Sequence, residues 1–137
     1  MHPAGKLRFE ASGNFRGDWD TSRVSQALSN LIANVMQHGA ESTPTVVTAR
    51  GEADEVVVCI HNLGAVITAE DQRHIFDPFA RIVSAESERP LQSSIGLGLY
   101  IANQIALAHG GSIRVDSSVE RGTTFELHLP RSLPAQG

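Results

Sequence analysis

The stretch that most constrains this chain is Ser22 to His38, which carries two different stripes on one helix-length segment. Leu28, Leu31, Ile32 and Val35 fall at i, i+3, i+4 and i+7. That is the spacing of one helical face, so the segment must lie with this stripe against a core. Asp20 or Thr21 supplies an N-cap ahead of it and Gly39 closes it. Gln26, Asn30, Asn34, Gln37 and His38 fall on the opposite side. A solvated face is the ordinary fate of a polar stripe. Such faces, however, favour Glu, Lys, Gln and Arg, and asparagine is a poor helix former. Asn30 and Asn34 stand one turn apart in mid-helix, where their carboxamides put neutral oxygens on one line. A hard cation such as Mg²⁺, or the polar edge of a bound molecule, would suit them. The spacing alone leaves both readings open.

The rest of the chain supplies strands for that helix to cover. Leu7 to Phe9 and Asn14 to Trp19 are predicted as two short strands around a turn at Ser12-Gly13. Thr45 to Gly51 and Glu55 to Asn62, separated by Glu52-Ala53-Asp54, are predicted as an antiparallel pair. A short helix near Glu70 to Ile75 follows. A second long one runs from about Leu97 to Ala108 and ends at His109-Gly110-Gly111. Ser112 to Val119 and Thr123 to Leu129 form a hairpin around Glu120-Arg121-Gly122. Ile82 to Ser94 is polar and aperiodic, and connections of that length are usually functional lids or disordered. Strands grouped around two amphipathic helices predict an α+β, two-layer sandwich. Its helices lie on one face of a mixed, mostly antiparallel sheet. At 137 residues the chain, 1–137, is one domain.

Charge and cysteine usage narrow the function classes. Net charge is −4 with histidine neutral, and no Lys/Arg run occurs, so neither nucleic acid nor a membrane surface is an expected partner. A bound polyanion would need local donors: backbone amides, a metal or single arginines. Cys59 is the only cysteine, which excludes an internal disulfide and fits a reducing compartment. No apolar run reaches the length of a membrane span. The histidines show no metal-ligand spacing, and no HExxH, GxSxG or GxxxxGK[ST] pattern occurs.

Four further segments carry polar or glycine signatures. Ile95-Gly96-Leu97-Gly98-Leu99 places two glycines at a helix mouth, where free amides and the positive dipole end can hold a phosphate. Glycines before a helix also simply make turns. His61-Asn62-Leu63-Gly64 ends a nearly continuous apolar strand, Ile75-Phe76-Asp77-Pro78-Phe79-Ala80-Arg81 sets two aromatics around a proline, and Gly122-Thr123-Thr124-Phe125 opens the last strand. Taken singly these read as a turn, a packed corner and a hairpin strand.

Taken together and in order, these segments resemble the catalytic and ATP-binding domain of sensor histidine kinases, in the GHKL ATPase superfamily with its Bergerat fold. Gln26 to Asn34 looks like the N box, His61 to Gly64 stands at the G1 box, and Ile75 to Arg81 looks like the F box. Gly96-Leu97-Gly98-Leu99 matches the G2 box, and Gly122 to Phe125 resembles the last glycine box. The resemblance covers nearly the whole chain. It implies ATP and Mg²⁺ as ligands. Asn34 would coordinate the metal, with Asn30 supporting it, as the catalytic pair. Asn62 would face the adenine amino group and Thr123 would lie near the base through water. Gln37, His38, Gly64, Ile67 and Phe79 would belong to the nucleotide pocket. Backbone amides from Gly96 through Leu97 and Gly98 to Leu99 would hold the phosphates, with Arg81 a phosphate contact. Ile82 to Ser94 would be the ATP lid, anchored by Phe76 and Phe79.

The family's pattern is not reproduced throughout. It usually has Asp at Asn62, glycine at Val66, Lys at Gln37 and glycine at Ser94. A neutral amide in place of the acid predicts weaker, though retained, nucleotide binding. Hydrolysing members of the superfamily place a Glu near Asn30 to activate water, and an asparagine cannot act as that base. The resemblance therefore implies transfer of the ATP γ-phosphoryl group to a histidine on a separate helical hairpin, since none of the six histidines here sits in a phosphoacceptor context. It implies a response regulator as partner, a homodimeric parent and a bacterial, cytoplasmic setting. Two alternatives share the fold: a degenerate nucleotide-sensing module without transfer, and a serine kinase of the anti-sigma type.

Overall fold

A computed structural model describes residues 7–39, 42–64, 66–78 and 97–132. Five strands and three helices follow the order β1 (Leu7–Ser12), α1 (Thr21–His38), β2 (Thr45–Gly51), β3 (Glu55–Asn62), α2 (Ala69–His74), α3 (Gly98–Ala108), β4 (Ser112–Ser118) and β5 (Gly122–Pro130). The sheet order is β1-β2-β3-β5-β4. β1 pairs with β2 in parallel, and the other three pairings are antiparallel. The expected α+β class and mixed, mostly antiparallel sheet are therefore what the chain adopts.

Period-two alternation sorts each strand onto two faces. Val47 and Ala49, Val56, Val58 and Ile60, and Phe125, Leu127 and Leu129 point to one face and join a single buried cluster. Ala27, Leu31 and Val35 of α1 and Leu99, Ala102, Ile105 and Ala106 of α3 complete it from the helix layer. Leu31, Ile60, Leu127 and Phe125 are among its largest fully buried side chains. Each contributes about 1.5–3 kcal/mol by leaving water. The apolar stripe of α1 is thus centred on Ala27, Leu31 and Val35, while Leu28 and Ile32 are only partly buried at its flank. Asp20 caps α1 through its side chain, which accepts the Arg23 N–H at 3.1 Å.

The start of the chain corrects the sequence reading. The first strand runs on from Phe9 to Ser12, and Asn14–Trp19 forms no strand and no hairpin with it. The reason lies at the other end of the chain. The Arg131 guanidinium donates to the carbonyls of Asn14 and Arg16, each at 2.7 Å, and the Asp18 N–H donates to the Arg131 carbonyl at 2.8 Å. Trp19 adds its ring N–H to the Pro130 carbonyl at 2.8 Å. The polar groups of this extended segment are met by one arginine and the end of β5, so they need no strand partner. β1 instead adds to β2 in parallel, from Leu7 opposite Thr45 to Ser12 opposite Arg50. Gly13 turns the chain at φ +90°, where a Cβ would also lie 2.8 Å from the Gly51 carbonyl oxygen.

α1 and α3 pack against each other, antiparallel, with their ends fastened by side chains. Asn30 Nδ2 donates to the Gly98 carbonyl at 3.1 Å, which joins mid-α1 to the first residue of α3. At the other end the Asp20 N–H donates to His109 Nε2 at 3.1 Å.

Candidate functional site

β3 and β5 run side by side, and their register places Asn62 directly opposite Thr123. Gly122, with φ +77°, starts β5, and a Cβ there would lie 2.6 Å from the Asn62 carbonyl oxygen, so the pair can form only with glycine at that turn. α1 ends above this point. Its last turn brings Asn34, Val35 and His38 over the strand ends, and Gly39 bridges to Gly64 beyond β3. The result is a cleft lined by Asn34, Val35, His38, Gly39, Asn62, Gly64, Ile67, Thr123 and Phe125, enclosing about 270 Å³ of empty space with its open mouth. Its base is apolar and it has a few convergent polar groups, the usual make-up of a small-molecule site.

Asn62 and Thr123 are held from behind. Asn62 is buried, and its Nδ2 lies 3.1 Å from Thr45 Oγ1 and 3.3 Å from each of the Thr43 and Pro44 carbonyls. Thr123 Oγ1 lies 2.7 Å from Ser117 Oγ, and that serine oxygen accepts the Ile67 N–H at 2.9 Å. Gln72 caps the same segment by donating to the Ile67 carbonyl at 2.8 Å. Phe76 meets Phe125 edge to face, ring centroids 6.4 Å apart, so the F-box aromatic rests on the floor of the cleft.

His38 has a different status. Its Nε2 is buried with no hydrogen-bond partner among the described residues, and desolvation holds its pKa below the usual histidine value of 6.5. The imidazole is therefore neutral near pH 7, and the described lining carries no charge. Cys59 alternates with the core residues Val58 and Ile60, so it lies on the opposite sheet face. Burial and the nearby Glu126 push its thiol up against the smaller pull of Arg50, so it is a poor nucleophile.

Of the residues singled out from sequence, Asn34, His38, Asn62, Gly64, Ile67 and Thr123 meet in this cleft. Asn30 stands one turn back, bound to Gly98. Leu97 precedes α3 without a side-chain cap, Gly98 opens the helix, and the Leu99 side chain is buried in the core. Gln37 is exposed and does not line the cleft. Phe79, Arg81, Gly96 and the 82–94 lid lie outside the described residues. Thr45 and Ser117 were not foreseen. Nothing local distinguishes them from other strand hydroxyls, and only their partners across the sheet mark them.

The cleft has two properties a nucleotide needs. The Gly39-Gly64 bridge is a cradle that a side chain would fill, since a Cβ on Gly39 would lie 2.2 Å from Asn62 Oδ1. The buried His38 Nε2, without a hydrogen-bond partner among the described residues, and the Asn34 carboxamide offer polar atoms beside it. Among the described residues no group of three or more His, Cys, Asp or Glu side chains could hold a metal alone, so Asn34 would need a ligand's own oxygens to complete a metal shell.

Comparison with known proteins agrees with this geometry. The family described as histidine kinase-, DNA gyrase B- and HSP90-like ATPase matches residues 19–133. The sensor protein SrrB of Staphylococcus aureus is 33% identical over 113 residues, which are 82% of this chain and 19% of that protein, so the chain spans about a fifth of the relative's length. The catalytic domain of the histidine kinase ThkA superposes with a TM-score of 0.76 at 27% identity, covering 94% of this chain and 80% of that one. The mycobacterial sensor histidine kinase MprB shares the fold, with a TM-score of 0.81 at 24% identity over 97% of this chain and 88% of its own. With an asparagine-bearing helix over a glycine-bridged cleft and a family match across 19–133, the chain belongs to the histidine kinase-, DNA gyrase B- and HSP90-like ATPases and is a histidine kinase ATP-binding domain of the GHKL superfamily.

Proposed function

We propose that this domain binds ATP with Mg²⁺ and passes the γ-phosphoryl group to a histidine on a separate helical hairpin of its parent protein. One observation carries the reading. Asn34, His38, Asn62, Gly64, Ile67 and Thr123, spread over 90 positions of sequence, line a single cleft between α1 and the ends of β3 and β5. Asn62 and Thr123 suit the base, and Ser117 holds the Thr123 hydroxyl in place. Asn34 would offer one neutral oxygen to a Mg²⁺, and the ion when bound would supply neutralisation of phosphate charge. The Gly98 end of α3 presents amides to the phosphates, and Asn30 holds that end against α1.

The same residues favour transfer over hydrolysis. Asn30 and Asn34 cannot take a proton, and no carboxylate lines the described cleft. No carboxylate base for water is therefore offered, whereas an imidazole supplied by the hairpin is already a nucleophile. In the transfer the bond from the γ-phosphorus to the β,γ-bridging oxygen breaks, a nitrogen–phosphorus bond forms, and ADP leaves. Catalysis rests on positioning and charge neutralisation. A response regulator would take the phosphoryl group onward from the hairpin, in a dimeric parent with this domain in the cytoplasm. No helix among the described residues is long and apolar enough to cross a membrane.

The test is incubation with γ-labelled ATP, with and without the parent's hairpin. Acid-labile, base-stable label on the hairpin, with none on the domain alone, is expected. Stable self-labelling of the domain would count against the reading. ATP binding without transfer to the hairpin would make it a nucleotide-sensing module instead.

A further inference from the structure

The base contact proposed above has an ambiguity that an aspartate would not have. A carboxamide carries an acceptor at one end and a donor at the other, and a half-turn of the side chain exchanges them. With its oxygen toward the ligand, Asn62 reads the 6-amino group of adenine. With its nitrogen forward, it would read the 6-oxo group of guanine or hypoxanthine.

In this chain the donor end is committed. Nδ2 of Asn62 is shared among the Thr45 hydroxyl at 3.1 Å and the Thr43 and Pro44 carbonyls at 3.3 Å each. Asn62 is 3% exposed and Thr45 2%. A half-turn would set Oδ1 against those three oxygens, two of which have no proton to give. The oxygen stands on the side of Gly39, which lines the cleft.

We propose that Thr45, together with the Thr43 and Pro44 carbonyls, fixes Asn62 oxygen-first, making the cleft selective for 6-aminopurines and closing this position to the family's usual aspartate. This rests on the ATP-site reading. A carboxylate here would place its second oxygen where Nδ2 now lies, buried against two carbonyl oxygens that have no proton to give, with the Thr45 hydroxyl the one donor among the three. It would expel the 43–45 segment or take up a proton. A protonated carboxyl has one O–H to offer those acceptors and regains part of the arrangement. Thr45 is a positioning residue, acting on the ligand only through Asn62.

The experiment is calorimetric titration of the whole domain with ATP and with inosine triphosphate, which carries a 6-oxo group and an N1–H where ATP has the 6-amino group and a bare N1. Wild type, N62D and T45V are compared between pH 8 and pH 5.5, with circular dichroism as the check on folding. Wild type is expected to prefer ATP by at least about 10-fold. N62D binds ATP about 10-fold more weakly than wild type at pH 8, and the gap narrows as pH falls. T45V keeps the fold and narrows the ATP-to-inosine preference about threefold, because only two carbonyls then hold the amide. Equal wild-type affinity for the two nucleotides overturns the proposal without the variants, and so does N62D binding ATP as tightly as wild type at pH 8. If wild type binds neither nucleotide, the ATP-site reading itself falls and the proposal falls with it.

Discussion

His109 and Asp20 join the end of one helix to the start of the other: Nε2 of the buried imidazole accepts the Asp20 backbone N–H at 3.1 Å. The other ring nitrogen, Nδ1, lies 2.8 Å from the Ile105 carbonyl oxygen, to which it donates. One neutral tautomer satisfies both contacts. The ring thus closes α3 and anchors α1 at the residue that caps it. Gly110, at φ +77°, then turns the chain away, and the Gly111 N–H bonds the Ala106 carbonyl at 2.8 Å. Together with the Asn30–Gly98 bond at the opposite end, this fastens α3 to α1, the helix that lines the cleft.

His109→Leu keeps the apolar volume and removes both bonds. It leaves the Asp20 N–H short of an acceptor in a partly buried place, while the Ile105 carbonyl keeps only the backbone N–H of residue 109 at 3.2 Å. The expected cost is about 2–3 kcal/mol, with folding still cooperative. Urea unfolding at pH 7.5 measures it, and a loss below about 0.5 kcal/mol would show that water replaces the ring.

Asn30 holds the Gly98 end of α3, where the proposed site puts the phosphates and not the base. Asn30→Asp turns the donor that faces the Gly98 carbonyl into an acceptor. Thermal unfolding should show about 1–2 kcal/mol of lost stability. ATP affinity should fall several-fold while adenosine affinity stays unchanged, because only the phosphates reach that helix end. Equal losses for both ligands would place Asn30 at the base instead.

Much of this was legible locally, and the failures share a cause. The 3.6-residue spacing of Leu28, Leu31 and Val35 gave α1 almost to the residue, and the runs Thr45–Gly51 and Glu55–Asn62 on either side of Glu52-Ala53-Asp54 gave the β2–β3 pair. Asn14–Trp19 misled because its carbonyls are satisfied by Arg131, more than a hundred residues away. No local pattern reports such a partner. The parallel register of β1 on β2 is equally non-local. In the site, asparagines in mid-helix and at a strand end stood out as types that local structure does not favour. Thr45 and Ser117 are ordinary strand residues by type, and their roles exist only through Asn62 and Thr123.

Gly39 tests the cradle directly. A Cβ there would lie 2.2 Å from Asn62 Oδ1 and 2.8 Å from the Val35 carbonyl oxygen. Its φ of −83° is open to any residue, so the obstacle is contact and not backbone strain. Gly39→Ala should therefore fold, displace the Asn62 amide and weaken ATP at least about 10-fold, with a larger methyl-bearing residue such as valine weakening it further. Titration of folded variants decides it. Unchanged affinity in Gly39→Ala would mean that the bridge to Gly64 does not shape the pocket.

His38 gives the domain a pH dependence whose sign follows from its burial. Desolvation lowers its folded pKa below 6.5, so between that lowered value and 6.5 the unfolded chain binds more protons than the native one. Stability is then greatest above pH 6.5 and is lost as pH falls through that window, levelling off below the folded pKa. Other groups titrate over the same range, so the measurement is a difference. His38→Phe removes the titrating ring nitrogen and its unpartnered buried Nε2. Its stability relative to wild type should rise steadily as pH is lowered from 7.5 to 5, read from urea midpoints at each pH. Bound ATP adds the opposite pull. In the proposed site, phosphate charge near the ring would favour the imidazolium, so saturating ATP should flatten the wild-type decline and leave the variant unmoved. A wild-type minus variant difference constant across pH would show that His38 is fully solvated in solution.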